Sequence, residues 1–475
     1  MIYFINPPFL RRFSRSQRSP AVTKSNTMYY PLMLCQAAAC VKQSGGHQVS
    51  VIDACAEGLP ERVIIETVTR RPGAMAFIET STPSIASDIA FACRLKAASK
   101  TPVFLVGTHV SVLGRDILRR FPELDGVLIG EWDRTALQLS QDISAPVPGL
   151  LRHAEDAPGQ PEVWRDLDAL PFVSPIYRQF LDIRNYFNVN APYPMVTLAT
   201  ARGCPFKCRF CQYPQTFFKQ QVRRRGVDHV LEEIAYARRE LKPASIFFED
   251  DTFTYDKRYI QQFCDQVLQR FKHPFAWSAN ARADLDYDTL RLMKRAGLRV
   301  LCVGFESGNP EVLRWMNKGL TKERMKRFRR DARRAGVQVH GCFIIGAPFE
   351  DRASIRQTLD FALELDPDTI QVYPVIVYPG TQIFAEYEQK GLLHYNDYRD
   401  WLTEAGHLNT VIRTQHLSRD ELVQYAALLK RKFYLRPGYI ARKAAQMVTS
   451  PRNLRRSAKA FKVFYRFLLG TGNTK

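Results

Sequence analysis

No run in this sequence approaches the roughly 18 consecutive apolar residues of a membrane-spanning helix, which excludes an integral helical membrane protein. Its ten cysteines among 475 residues are too sparse for a disulfide scaffold. Glycine (25) and proline (28) are close to average, which excludes collagen-like and linker-like chains. Fixed-period repeats and low-complexity tracts are missing. The start, Met1 to Pro8, reaches Pro7-Pro8 and then Arg11-Arg12 without the apolar stretch of a secretory signal, so a cytoplasmic protein with reduced thiols is expected. Acidic residues are scarce in one place. From Lys430 to Lys475 there are thirteen Lys or Arg and no Asp or Glu, more than half of the net charge of +21. A second, smaller basic patch runs from Arg11 to Arg18.

What remains is an ordinary globular composition, 45% hydrophobic and 24% charged, with chain enough for several domains. Residues 1–142 alternate apolar runs (Ile2–Asn6, Val49–Asp53, Ala74–Glu79, Val103–Gly107, Gly126–Ile129) with helix-length segments. That pattern predicts a Rossmann-like parallel sheet wound by helices, with ligands held at the carboxyl ends of its strands. A proline-rich stretch, 143–194, reads as a linker. Residues 195–395 give a second βα series, with strands beginning near Met195, Ser245, Phe275, Val300, Val339 and Thr369. This predicts a partial (β/α)6 TIM-type barrel whose functional residues lie where strands end. Residues 396–475 are expected to form a helical basic C-terminal region.

Directly after the first strand of the second series come Cys204, Cys208 and Cys211, on one short loop. Thiolates are the soft ligands that iron–sulfur clusters and zinc select. Zinc would need a fourth protein ligand, and no Cys or His follows within the next 15 residues. Three thiolates would leave one iron of a 4Fe–4S cluster open to another ligand. The remaining cysteines, Cys35, Cys40, Cys55, Cys93, Cys264, Cys302 and Cys342, sit on apolar patterns and read as small buried hydrophobes.

The loop, with the aromatic Phe210 before its third cysteine, resembles the cluster-binding signature of radical S-adenosylmethionine (SAM) enzymes. The resemblance implies a 4Fe–4S cluster on the three cysteines and SAM on its open iron, cleaved to a 5′-deoxyadenosyl radical. It also implies roles for residues at later strand ends. Glu249, Asp250 and Asp251 would hold the methionine amino group, and Ser278 and Arg282 the ribose and carboxylate. Glu306 and Ser307 would contact the cofactor, and Gly346 would flank the adenine. An electron donor such as a flavodoxin or ferredoxin is implied as a partner.

A wound domain ahead of such a barrel resembles the cobalamin-binding branch of the superfamily, with Asn6-Pro7-Pro8, Val51–Ala54, Gly107-Thr108-His109 and Gly130-Glu131 at matching places. The D-x-H-x-x-G motif that supplies an axial histidine is absent. Two readings stay open: cobalamin held without a protein axial ligand, or the fold kept without the cofactor. Leu170–Val173, Glu249–Thr254, Gly304–Asn309, Tyr378–Thr381 and Lys432–Pro437 together resemble the hopanoid-associated subfamily, which implies an isoprenoid lipid or its polyol side chain as substrate. The alternatives are a sugar or natural-product precursor undergoing dehydration, rearrangement or cobalamin-dependent methyl transfer, and an iron–sulfur protein that binds or modifies RNA. In the tail, Phe461, Phe464, Tyr465 and Leu468 share one helical face, opposite Arg455, Lys459, Lys462 and Arg466. This predicts peripheral contact with an anionic membrane surface through residues 430–475, on the inner face of the membrane, over a nucleic-acid partner.

Overall fold

The computed structural model describes residues 1–15, 20–157 and 159–448. The amphipathic pattern at 455–469 lies outside the described residues. Six strands form the first sheet, β1 Ile2–Asn6, β2 Val49–Asp53, β3 Met75–Glu79, β4 Val103–Val106, β5 Gly126–Leu128 and β6 Leu150–Leu151, in the order β2-β1-β3-β4-β5-β6. β1 to β5 are parallel, and β6 closes the edge antiparallel to β5. β1 and β3 are buried along their whole length, as strands covered by helices on both faces must be. In a sheet of this order, ligands lie beyond the strand ends where the order reverses.

The barrel opens with β7 Met195–Leu198, followed by a small antiparallel ribbon, β8 Ala201–Arg202 with β9 Arg223–Arg224. β10 Ser245–Phe248, β11 Ala276–Ala281, β12 Leu298–Glu306, β13 Gln338–Ile345 and β14 Thr369–Pro374 complete a six-stranded sheet, ordered β14-β13-β12-β11-β10-β7. All its pairs are parallel, so the expected partial barrel is present. Its two edge strands, β7 and β14, do not pair.

The stretch 143–194 is not a free linker. It donates β6 to the first sheet, and its helix Ser174–Phe180 packs against both Leu32–Gln43 and the barrel helix Val227–Glu240. Ile176, Tyr177 and Tyr186 are fully buried there, with Tyr30 stacked on Tyr186 at 3.9 Å. Proline density marked an irregular backbone correctly but said nothing of its packing. The C-terminal region folds back on the barrel through the helices Arg419–Tyr434 and Pro437–Val448. Ser418 and Glu421 form a capping box at the start of the first. Arg436 and Arg442 of this basic stretch are tied to Asp366 at 2.7 and 2.8 Å. Among the described residues no helix is long and apolar enough to cross a membrane.

Candidate active site

The cysteine loop is built before anything binds to it. Gly203 precedes Cys204 with φ +84°, and a Cβ there would lie 1.9 Å from the Gln221 carbonyl oxygen, so only glycine fits the turn. The side-chain amide of Gln215 donates to the carbonyls of Arg209 and Cys211 at 2.9 and 2.8 Å, holding the loop closed from within. Cys204 is buried, 3.5 Å from the Thr252 hydroxyl; Cys208 and Cys211 are half-buried. Phe210 packs between the main core and a small apolar cluster of Val312, Met316 and Ala347. Burial pushes the Cys208 thiol up, and the Lys318 ammonium pulls it back.

Next to the loop stands a buried charge cluster. Glu306 ends β12 at a bulge, with φ +63°, and accepts from the Lys318 ammonium at 2.7 Å. Gly304 leaves the room: a Cβ at that position would meet the Glu306 carboxylate at 2.1 Å and Lys318 Nζ at 2.8 Å. The Arg282 guanidinium lies 3.6 Å from the centre of the Phe206 ring and donates to the Lys318 carbonyl at 2.6 Å. Two cations therefore sit beside Cys208, where an anionic or dipolar ligand of the cluster would need them. Lys318 was missed in the sequence. Its signal was the basic residue before Gly319, after a helix whose side is not visible from spacing.

Three of the residues assigned from the sequence have partners within the protein. Asp250 accepts from the Thr200 amide and hydroxyl and from the Ala201 amide, at 2.6, 2.6 and 2.9 Å. It braces the chain that enters the cysteine loop. Ser278 donates to the Asn190 carbonyl at 2.7 Å, because β11 runs on to Ala281 and leaves Ser278 deep in the barrel. Asn280, two residues nearer the mouth on the same face, was missed; its amide donates to the Asp250 carbonyl at 3.1 Å. Ser307 is turned away by the β12 bulge and lies 2.9 Å from the Thr358 hydroxyl of the helix Arg352–Leu365. Gly346, with φ +102°, forms a turn in which its amide and that of Ala347 donate to Glu350 at 2.6 and 2.7 Å.

Glu249 and Asp251 do reach open space. They line a cavity of about 100 Å³ between the barrel mouth and the first sheet. Its other walls are Glu79, Thr80, Gly107, Thr108 and Trp132 from the ends of β3, β4 and the segment after β5, with Tyr30, Phe217 and Phe218 as aromatic surface. The ends of β1 and β2 are filled. Asp53 accepts from Asn6 and Tyr186 at 2.7 and 2.8 Å, and Arg15, paired to Asp88 at 2.6 Å, donates to Asn6 and the Pro7 carbonyl. No histidine lines the cavity among the described residues. His109 packs edge-on against Tyr398 at 4.6 Å, and burial pushes its imidazole down to about 3, so it stays neutral inside the first domain.

The two halves are joined by ions as well as by the cavity. Arg202, immediately before Gly203, binds Glu131 and Asp133 from the first domain, and Arg223 binds Glu131 too. All four side chains are at most 10% exposed. Burial disfavours the Glu131 charge, but the two guanidiniums outweigh it and hold the carboxyl below its usual range.

Residues 198–362 match the model of the Radical SAM superfamily. The chain is an enzyme, and this stretch, which carries the cysteine loop, is of the radical SAM type, which implies a 4Fe–4S cluster and SAM. It is 28% identical over 419 residues to an uncharacterized methyltransferase of Pyrococcus horikoshii, covering 86% of this chain and 88% of that one. The fold is that of the radical SAM methyltransferase TsrM of Kitasatospora setae, solved with cobalamin and a [4Fe–4S] cluster bound, at TM-score 0.68, 14% identity and coverage of 92% and 89%. It is also that of the cobalamin-dependent SAM radical enzyme OxsB, at TM-score 0.63, 15% identity and coverage of 92% of this chain and 61% of that one.

Proposed function

We propose that this radical SAM enzyme transfers a methyl group to a small molecule, with cobalamin held between its two domains. The observation that carries the reading is the cavity bounded by the ends of β3 to β5 on one side and by the barrel mouth on the other. Its aromatic and apolar walls, Trp132 and Tyr30 among them, have the chemistry that would hold a large flat cofactor once they part to admit it. The relatives support methyl transfer over the hopanoid-type lipid that the narrower resemblance implied.

When bound, the cluster would supply the electron that opens the SAM sulfonium, and cobalamin the methyl group. Cys204, Cys208 and Cys211 would hold the cluster on a loop fixed by Gly203 and Gln215. Arg282 and Lys318 would orient the SAM carboxylate, and Glu306 would keep the Lys318 ammonium in place. Glu249 and Asp251 face the shared cavity, where they would orient the SAM amino group or the substrate. The first domain roofs the mouth and excludes water from the reacting centre.

Two measurements test this. Reconstituted under anaerobic conditions, the protein should bind iron, and dithionite should release 5′-deoxyadenosine and methionine. Cys204→Ala, Cys208→Ala and Cys211→Ala should each abolish both. Titration with hydroxocobalamin should quench tryptophan fluorescence, and Trp132→Phe should remove much of the quench. Unchanged fluorescence, with no cobalamin retained on a desalting column, would remove methyl transfer from the reading while leaving the cluster chemistry standing.

A further inference from the structure

Three strands of the barrel have faces of opposite character. Phe305 of β12 packs on Phe328 of the helix Lys322–Arg334 at 6.3 Å, so Leu301, Val303 and Phe305 face the helices, and all three are buried. Successive side chains point to opposite faces of a sheet, which turns Cys302 inward. The register puts His340 and Cys342 of β13, with Gln371 and Tyr373 of β14, on the same inner face. Cys302, Cys342, Gln371 and Tyr373 are only half-buried, whereas Val339, Phe343 and Val372 of the outer face are buried. The inner face thus keeps access to solvent.

That face holds hydrogen-bonding groups without negative charge. Leu298 to Phe305, Gln338 to Ile345 and Thr369 to Pro374 contain no Asp or Glu. His340 Nδ1 lies 2.8 Å from the Thr369 hydroxyl, and burial pushes its imidazole down to about 4, so it is neutral.

A cation reaches this wall from the C-terminal region. Lys430, on the helix Arg419–Tyr434, sets its ammonium 5.4 Å from the centre of the Tyr373 ring. Tyr434, one turn further on, is within electrostatic reach of both Tyr373 and Cys342, so this side of the helix meets the inner face of β14. Lys430 is half-buried and makes no ion pair among the described residues. The neighbouring charge is another ammonium, that of exposed Lys24. Burial and Lys24 together push Lys430 down to about 8. The two lysines stand at the barrel's open side. Tyr30 covers β7 there by donating to the Met195 carbonyl at 2.9 Å, and Tyr434 covers β14. Lys24 and Lys430 belong to these two covering segments. A half-buried ammonium with a like charge beside it costs stability until an anion completes the site.

We propose that Lys430 is the anchor for a carboxylate or phosphate group of this enzyme's small-molecule substrate, admitted at the opening between β7 and β14. The proposal rests on the small-molecule reading above and names the group by which that molecule is held. No bond is made or broken in this step. The ammonium donates charge-assisted hydrogen bonds to the anion, the Tyr373 ring supports the ammonium from the barrel side, and Lys24 draws anions toward the opening. Gln371 and His340, on the same face, offer neutral hydrogen bonds to the rest of the molecule.

The test uses the full chain without turnover, with phenyl phosphate and benzoate as probes and benzamide as their neutral counterpart. Acylation of each lysine by N-hydroxysuccinimidyl acetate is followed by peptide mass spectrometry. Lys430 should acylate readily in the free protein, and an anionic probe should slow it about tenfold or more, the scale of one charged hydrogen bond. Exposed Lys42 and Lys257 should keep their rates, and benzamide should protect nothing. Protection by phenyl phosphate alone assigns a phosphate, and by benzoate alone a carboxylate. Lys430→Met keeps the stem over Tyr373 and removes the charge. It should melt higher than wild type in the free protein and lose the rise in melting temperature that the anion gives wild type, while Lys430→Arg keeps that rise. Absence of protection would overturn the anchor, as would a Lys430 that resists the reagent throughout or an equal anion effect on wild type and Lys430→Met. So would a lower melting temperature for Lys430→Met, which would show the ammonium already satisfied within the chain. Anion binding through Lys430 in a protein that retains no cobalamin would remove methyl transfer and leave the anchor standing.

Discussion

Asp250 and Thr200 share two hydrogen bonds within the barrel mouth, and the carboxylate has a third partner in the Ala201 amide. Burial pushes its carboxyl up, with the Thr200 hydroxyl pulling back. Asp250→Asn cannot accept every one of these bonds, and a buried donor left unmade costs about 1–3 kcal/mol. The variant should therefore melt earlier and load less iron, with unchanged SAM affinity in the fraction that loads. Normal melting and iron content with weakened SAM binding would return Asp250 to the ligand. Glu350 makes a pH prediction. It is fully buried, and burial raises its carboxyl to about 7, with the Ala347 and Gly346 amides opposing. Between the ordinary carboxylate range and pH 7 the folded chain keeps a proton that the unfolded chain has released, so stability falls as pH rises through that window. Glu350→Gln keeps an acceptor for both amides and removes the titration. Denaturant midpoints should then fall less for the variant than for wild type on going from about pH 5 to pH 8, by on the order of 3 kcal/mol. Parallel pH profiles would defeat this.

At the level of elements, the strands were legible because parallel strands covered on both sides are continuous apolar runs, such as Met75–Glu79 and Val103–Val106. The cysteine loop was legible because its chemistry is contiguous. What escaped depends on distance in the chain or on phase within a strand. Gln215 reaches back across the loop, Lys318 meets Glu306 across a helix, and Ser278 was placed at the mouth because β11 runs two residues past the Ala279 at which its apolar pattern ends. Arg202 meeting Glu131 and Asp133 across some 70 residues carries no local signal at all. It yields a prediction at this scale. Removing one partner of a buried ion cluster costs about 3–5 kcal/mol, whereas neutralising the whole cluster can be nearly neutral. Arg202→Met should lower stability by that amount in denaturant melts, and Arg202→Met with Asp133→Asn, which leaves Glu131 paired to Arg223, should recover much of it. Equal stabilities for the single and double variants would show that the cluster holds nothing together.

In the whole molecule, the first domain, the stretch 143–194 and the barrel share one apolar core, and the C-terminal region reaches back to the first domain. Gly406 accepts from the Val22 amide at 2.8 Å, and Tyr398 touches His109. The cavity thus has walls from distant parts of the chain, and its shape depends on all of them folding together. The barrel's open side shows the same dependence. The helix Arg419–Tyr434 lies along β14, and the Tyr434 hydroxyl accepts from the Ile370 amide at 2.8 Å and donates to the Ile370 carbonyl at 2.7 Å. One phenol occupies the two edge groups that a neighbouring strand would otherwise use. A chain cut after residue 417 would expose β14 as a template for another molecule's strand. It should accumulate as aggregates in size-exclusion chromatography where the full chain does not, and a Pro substitution at Ile370, which removes the edge amide, should restore part of its solubility. The helix is in this sense a chaperone carried in cis: it guards the sheet against self-association, and any shortening of the protein for crystallisation has to stop short of it.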